Sequence, residues 1–489
     1  MPQCLLVASF SGSRPRWLCV VVSTYAALFI LYALTWAFTQ DEGYHVLAAQ
    51  LIAAGRTPYI DFCFPQTPLN AYWNAGLLTL LGNYWRVPHL FAALFTVGAV
   101  ILVAVYVFRR IPGGEWRTGL AIAAALMVGL NGPIFVFGSL QAYGICLFGL
   151  TAAFTLAVRT VERQGWLTPL GVGFAAGIAA ASSLLSAAAA PVFLLWMLYY
   201  NRAGARWRTF FAFSLGIAIP FAPVFWLFAR GPRQTWFNLV RYHAFYRPLY
   251  WPETTQHDLE VLTSWMGDGQ ALLLGLLAAA GLRYVVRQSG WPSALKAECY
   301  LCAWLAAAIS LEVGRAHPTF SRYFLLAVPF LAILAVAGLF ATARAFEMRR
   351  PLWPVLALSA LFALGLGRTL YDRREFETWH TYELLAAKIN PLSPHNAPLY
   401  AVEQIYFLTR RTPPPGYELS YTHLVKLPPK EAALMHIVNQ ADVKRQFQSG
   451  MFATAYTCDD DEIDGLDVGT LYNKKVEMSD CKIFWDLKR

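Results

Sequence analysis

The chain has little charge. Only 14% of its 489 residues are Asp, Glu, Lys or Arg, against 57% hydrophobic residues, and the mean hydropathy is +0.43. That balance excludes an ordinary soluble domain, which needs more charge at its surface, and marks an integral membrane protein. No cleavable leader is expected either: the first apolar run, 17–39, is too long for a signal-peptide core and carries no obvious small-residue cut site. The run should stay as a membrane anchor. Eight cysteines are present, but the Cys299/Cys302 CxxC lies in an apolar run without redox or zinc context, so both read as small core residues. Cys458 and Cys481 fall in a polar tail and could pair in an oxidising compartment. Acidic residues are outnumbered, 29 against 39 basic, for a net charge of +10. In a membrane chain that excess argues for basic helix ends on the cytoplasmic side before it argues for partners, and no nucleic acid is expected.

What the chain has in abundance is apolar runs. After 17–39 come 87–108, 119–130, 134–158, 167–181, 184–200, 210–229, 271–286, 299–313, 323–343 and 352–366. The expectation is an α-helical polytopic membrane protein with about eleven transmembrane helices. With the N-terminus cytoplasmic, the inner loops gather Arg109, Arg110, Arg117, Arg283, Arg287, Arg344 and Arg350, as positive-inside threading requires. An odd number of spans places the chain after Arg368 outside. There the composition turns polar, so residues 1–370 read as a transmembrane domain and 371–489 as a water-exposed one. Helical spacing over 376–389 and 431–447, with strands over 398–402 and 452–458, makes the second a small α/β domain.

Asp41 and Glu42 stand directly after the first run, at the membrane surface. Tyr44, Leu47, Ala48, Leu51 and Ile52 continue as an apolar stripe ending at Gly55, which predicts a helix lying along that surface. Asp41 and His45 share a face. The spacing suits a carboxylate held by an imidazole or two ligands of a divalent metal, although no third ligand is fixed by sequence. A plain N-cap at Asp41 is the competing reading.

The segment goes on through Thr57-Pro58-Tyr59-Ile60-Asp61-Phe62 and Pro65-Gln66-Thr67-Pro68-Leu69, where the prolines keep the chain extended. A second outer loop, 230–269, is basic where the positive-inside rule predicts the reverse, and holds Arg241, His243 and Arg247. These cations are either a solvated face or a phosphate site. A short third loop, 314–321, brings Arg315 and His317 and leads into Arg322. The three loops should meet over one face of the bundle. Acidic residues of 459–467 resemble a calcium loop superficially, but Leu471 stands where the closing Glu belongs, so a solvated turn is expected.

Asp41-Glu42-Gly43-Tyr44-His45, the Gly55-Arg56-Thr57-Pro58-Tyr59-Ile60-Asp61 stretch, Pro65 to Leu69 with Tyr72, and Arg322-Tyr323 with Pro329 together resemble the membrane glycosyltransferases of the GT-C fold. The branch is the one with protein O-mannosyltransferases, lipid A aminoarabinose transferases and RgtA/B/C/D-like enzymes. The resemblance implies inverting transfer of one sugar, a hexose or pentose, from a polyprenyl-phosphate donor to a hydroxyl of a lipid, glycan or protein. It places the enzyme in a bacterial inner membrane with the 371–489 domain in the periplasm. Asp41 would match the general base, supported by Glu42. Tyr44, His45, Tyr59, Asp61, Gln66, Arg241, His243, Arg247, Arg315, His317 and Arg322 would surround the substrates. The chain departs from the pattern at Gln66, where lipid A aminoarabinose transferases carry a lysine, and at Thr67 in place of a proline. A second acidic residue near a later helix end is not evident; Gln141 stands in that region. The Trp-Trp-Asp motif of oligosaccharyltransferases is absent. A transporter or flippase of lipid-linked sugars is the alternative, weakened by the scarcity of ionisable residues within the runs.

Overall fold

The computed structural model describes residues 15–489 apart from 141, 163–164, 202–205, 251–253, 349, 395, 459–461, 479–480 and 489. Gln141 and the first part of the acidic turn therefore lie outside the described residues.

Uncharged runs in a bilayer must satisfy every backbone donor and acceptor within themselves, and a helix does so. Each of the apolar runs is helical. Among the described residues seven helices are long and apolar enough to cross a membrane, or up to eight if one bent pair counts as a single span. In chain order the elements begin α1 (Pro15–Thr35), α2 (Glu42–Ala53), α3 (Leu69–Leu81), α4 (Arg86–Arg110), α5 (Arg117–Gly129), α6 (Gly132–Phe137), α7 (Tyr143–Glu162), α8 (Leu167–Ser182) and α9 (Ala189–Tyr200). They continue with α10 (Arg206–Ala218), α11 (Ala222–Arg230), α12 (Pro232–Trp236), α13 (Thr254–Ser264), α14 (Gly269–Arg287), α15 (Ser293–Gly314), α16 (Val328–Ala345) and α17 (Leu352–Asp372). α10 and α11 meet at a 61° bend. Pro220 sits in that break, where it can neither donate a hydrogen bond nor pack within a regular helix.

Burial orders the bundle. The span ending in α16 is 83% buried and central, whereas those of α1 and α17 are 22% buried and present Leu28, Leu31, Leu361 and Leu364 to the lipid. α14 and α16 touch along their backbones at Gly281 and Gly338. A Cβ on either glycine would overlap a main-chain carbonyl of the facing helix, which is why small residues stand there.

Two stretches read as loops are more ordered than their sequence suggested. Between α1 and α4 the prolines end at Pro68, and α3 follows where only extended chain was expected. The segment 230–269 is almost wholly helical: α12 leads into a π-helical stretch, Phe237–Tyr246, then a 3-10 turn and α13. A π-helix has wider turns than an α-helix and is rarely built by propensity alone, so no periodic signal announced it.

Beyond the bundle come α18 (Trp379–Leu392), β1 (Leu399–Tyr400), α19 (Glu403–Thr409), α20 (Pro429–Leu434), α21 (Gln440–Gln448), β2 (Thr454–Cys458), the short β3 (Glu462–Ile463) and β4 (Leu466–Asp467), β5 (Tyr472–Met478) and β6 (Cys481–Leu487). The main sheet has the order β1-β2-β6-β5, with β1 and β2 parallel and the other pairs antiparallel. Cys458 and Cys481 face each other in register and are disulfide-bonded. The single helix expected over 431–447 is two. His436 takes a left-handed φ of 55°, and Asn439 then caps α21 by accepting the Asp442 N–H at 3.0 Å.

The tail packs into the same core as α2 and α3. Trp379, fully buried, stacks on Trp85 with ring centroids 5.4 Å apart and donates Nε1–H to Glu42 at 2.9 Å. Glu383 accepts from Trp85 Nε1 at 2.8 Å and Arg86 Nη1 at 3.0 Å. Gly43 permits the close approach of Gln404, whose side chain would collide with any Cβ there. Trp379→Ala should destabilise the protein by about 3–5 kcal/mol, the usual loss for an emptied aromatic core position. Thermal unfolding in detergent should show a midpoint several degrees lower; an unchanged midpoint would mean the tail does not depend on this contact.

Candidate functional site

α2 starts at Glu42, and Asp41 precedes it with φ −61° and ψ −15° but accepts no hydrogen bond from the helix N-terminus. The side chain is directed elsewhere: Oδ2 accepts from Arg322 Nη2 at 2.7 Å, and the Tyr421 hydroxyl stands 3.4 Å from Oδ1. The capping reading of Asp41 is therefore not realised. One residue on, the helix has turned by about 100°, so Glu42 faces the protein interior. It is buried, contacts His89 Nε2 and accepts from Trp379. His89 Nδ1 meets the Ala33 carbonyl at 2.7 Å, so Nδ1 carries a hydrogen, and Nε2 faces the Glu42 carboxyl. The pairing of Glu42 with Asp41 at a reacting centre is corrected: Glu42 does not line the cavity.

That cavity holds about 500 Å³ between the start of α2, the 65–66 turn, the π-helix, the start of α7, residues 320–323 and the tail segment 419–424. Arg247, on the 3-10 turn after the π-helix, donates Nη2–H to Tyr323 at 3.0 Å. Arg247 and Arg322 both lie over the Phe320 ring, at 5.6 and 4.4 Å from its centroid. Arg322 keeps its Nε buried without a partner. Asp41 balances Arg322. Among the described residues no carboxylate pairs with Arg247, so the cavity carries one excess positive charge in a largely buried setting. Such a charge is costly unless an anion joins it.

Of the residues singled out in the sequence, Tyr44, His45, Gln66, His243, Arg247 and Arg322 line this cavity with Asp41. His45 stacks on Tyr44 at 4.3 Å, and its Nδ1 is buried without a partner. His243 uses Nε2–H to hold the Pro65 carbonyl at 2.7 Å, which positions the Gln66 turn. The remaining five lie outside the cavity, for distinct reasons. Tyr59 is buried beneath the turn and donates to the Gln66 carbonyl at 2.5 Å. Asp61 accepts from the Thr57 N–H at 2.6 Å, closing a local turn. Arg241 is paired with Glu431 at 2.7 Å and reaches the Tyr246 hydroxyl. Arg315 is exposed beyond the end of α15, and His317 holds Asp258 Oδ2 at 2.5 Å.

Several groups at the site had no sequence signal. Tyr421, Leu419 and Leu424 come from the tail, 380 residues from Asp41 in the case of Tyr421. The Tyr143 hydroxyl side lies beside Arg322, and Asn238 accepts the Phe64 N–H at 2.8 Å to anchor the turn from below. Among the described residues the one grouping of three metal-type ligands is Glu377 with the disulfide-bonded Cys458 and Cys481. Among the described residues no third ligand joins Asp41 and His45.

No protein-family model and no curated protein matches the chain. Solved structures do. The crystal structure of ArnT from Cupriavidus metallidurans bound to undecaprenyl phosphate is similar with a TM-score of 0.68 and 13% identity, over 96% of this chain and 98% of that one. The archaeal oligosaccharyltransferase AglB from Archaeoglobus fulgidus, in complex with an inhibitory peptide and a dolichol-phosphate, is similar with a TM-score of 0.53 and 12% identity, over 95% of this chain and 73% of that one. At these identities the likeness speaks for the fold: the chain is a multi-pass membrane protein with the GT-C fold.

Burial lowers His45 and His243 from the usual 6.5 to about 4, with Asp41 opposing the shift at His45 and Arg247 adding to it at His243. Unfolded, both would titrate near 6.5, so between pH 6.5 and 4 the unfolded chain binds protons that the folded chain refuses. Stability contributed by these two residues is complete above pH 6.5 and falls as the pH drops toward 4. The thermal midpoint should decline across that window, and His243→Gln should flatten the decline. An unaltered pH slope in that variant would contradict the assignment.

Proposed function

We propose that the protein is an inverting membrane glycosyltransferase that moves one sugar from a polyprenyl-phosphate donor to an acceptor hydroxyl, with Asp41 as general base. The observation that carries this reading is the charge arrangement of the cavity: one carboxylate with one oxygen held by Arg322, beside a second cation, Arg247, that lacks a carboxylate partner. The acceptor hydroxyl attacks the anomeric carbon while the bond from that carbon to the donor phosphate breaks. Asp41 Oδ1, the oxygen not taken by Arg322, receives the hydroxyl proton. The departing lipid phosphate gains negative charge, and Arg247 stands where a cation stabilises it.

The polyprenyl-type phosphates named with ArnT and AglB support a donor of that class. The Cys458–Cys481 disulfide supports an oxidising compartment for 371–489, and hence a periplasmic domain beyond a 1–370 transferase domain in a bacterial inner membrane. Arg109, Arg110, Arg287 and Arg344 at the far ends of α4, α14 and α16 fit a cytoplasmic N-terminus under the positive-inside rule. The acceptor is a lipid, glycan or protein.

Purified protein in detergent, given a panel of polyprenyl-phosphate sugars and acceptors, should release free polyprenyl phosphate. Asp41→Asn should lower kcat by about 10²–10⁴-fold, the range for a lost general base, with little change in melting. Arg247→Gln should raise KM for the donor as well as lowering kcat. Wild-type rates in Asp41→Asn would remove the base assignment. Uptake that needs sealed vesicles, with no turnover in detergent, would make the protein a transporter.

A further inference from the structure

A third arginine belongs to the same set. Arg373 follows α17 and is half-buried, with its guanidinium 5.4 Å from the centroid of the Phe137 ring. Arg322 lies over that ring as well, at 5.7 Å. Arg247 and Arg322 share Phe320. The three cations are thus linked through two rings in the order Arg247, Phe320, Arg322, Phe137, Arg373, and Asp41 neutralises only the middle one.

Arg373 has no acidic partner among the described residues. Its one hydrogen bond is from Nη2 to the Phe38 carbonyl, at 3.1 Å, and a second ring, Phe376, lies 5.0 Å away. The acids closest in sequence are committed: Asp372 is near Arg368 at 3.9 Å, and Glu375 accepts from Arg374 at 2.6 Å. Burial disfavours the charge of Arg373, the Tyr32 hydroxyl opposes that in part, and the nearby Arg322 cation adds repulsion. Aromatic faces attract a cation by about 0.5–2 kcal/mol, and they do not remove repulsion between two cations. A half-buried guanidinium with unused donors, held beside another cation, is completed by an anion.

We infer that Arg373 marks a second anion subsite, beside the Phe137 ring that it shares with Arg322, which takes an acidic group, phosphate or carboxylate, carried by the acceptor. This rests on the transferase reading, in which Arg247 takes the donor phosphate. The acceptor then lies with its hydroxyl at Asp41 and its acidic group at Arg373, and the donor occupies the other side. A neutral acceptor would leave Arg373 uncompensated. The subsite selects acidic acceptors by that electrostatic difference.

The test uses the full chain in phosphatidylcholine nanodiscs, with phosphatidic acid as the probe for the acceptor's acidic group and undecaprenyl phosphate as the probe for the donor. Wild-type protein should bind both at once. Arg373→Gln should bind phosphatidic acid at least about tenfold more weakly with undecaprenyl phosphate binding unchanged, since it removes a charge-assisted contact. Arg373→Lys, which keeps the charge, should recover most of the affinity, and melting curves of both variants report folding. Arg247→Gln should weaken undecaprenyl phosphate instead. Unchanged phosphatidic acid binding in Arg373→Gln would overturn the subsite. Equal competition by phosphatidylglycerol would also overturn it, because the group would then be the headgroup of bulk lipid. If undecaprenyl phosphate does not bind the wild-type chain but phosphatidic acid binds through Arg373, the donor reading fails and the anion subsite stands.

Discussion

Two adjacent carboxylates at the start of one helix cannot face the same way, and this constraint sets the whole site. Glu42 turns inward and is held by His89 and Trp379, one residue from α4 and one from the tail. Asp41, about 100° around the axis, is thereby presented to the cavity and meets Arg322. Removing one member of a buried polar cluster leaves the others unpaired at a cost of about 1–3 kcal/mol each, so the inward acid acts as an anchor for the outward one. Their roles differ because their directions differ.

The cavity's cations are kept apart and kept in place by rings rather than by acids. Arg247 and Arg322 both lie over the Phe320 ring, and the Tyr323 hydroxyl accepts from Arg247. Carboxylates in these positions would have balanced the charge and left nothing for a ligand to supply. Aromatic faces hold the guanidinium planes while leaving most of their electrostatic demand unmet. Neutral imidazoles complete the wall: burial keeps His45 and His243 uncharged near neutral pH, so neither adds to the positive potential nor competes with Arg322 for Asp41.

Much of the frame was legible in the sequence. Runs without charge can only be helices in a bilayer, so the spans followed from composition, and the apolar stripe from Tyr44 to Ile52 announced α2. Asp41, Arg247 and Arg322 were legible as charged residues in unusual places. What could not be read was direction. Spacing on a helix gave Asp41 and His45 a common face, but it could not show that Arg241 would turn to Glu431 or that His317 would hold Asp258. Those pairings join segments 190 and 59 residues apart, and no local pattern encodes them. The π-helical stretch was hidden for a different reason: its period matches neither the helical nor the strand template.

The tail's place at the site follows from the same logic of direction. Leu419, Tyr421 and Leu424 lie on the cavity wall because the segment before them is fixed to the surface helices: Glu418 pairs with Arg56 at 3.0 Å, and Gln404 Nε2 donates to the Gln40 carbonyl at 2.8 Å. Glu403 accepts the Ser420 N–H at 2.6 Å, so the turn that carries Tyr421 is tied to α19, which packs on α2. The cavity is consequently closed on one side by the helix bundle and on the other by a segment of the tail. The position of the acid is thus set by α1 before it and by the tail packed on α2, and a change to either would move the carboxylate relative to the arginines that define its cavity.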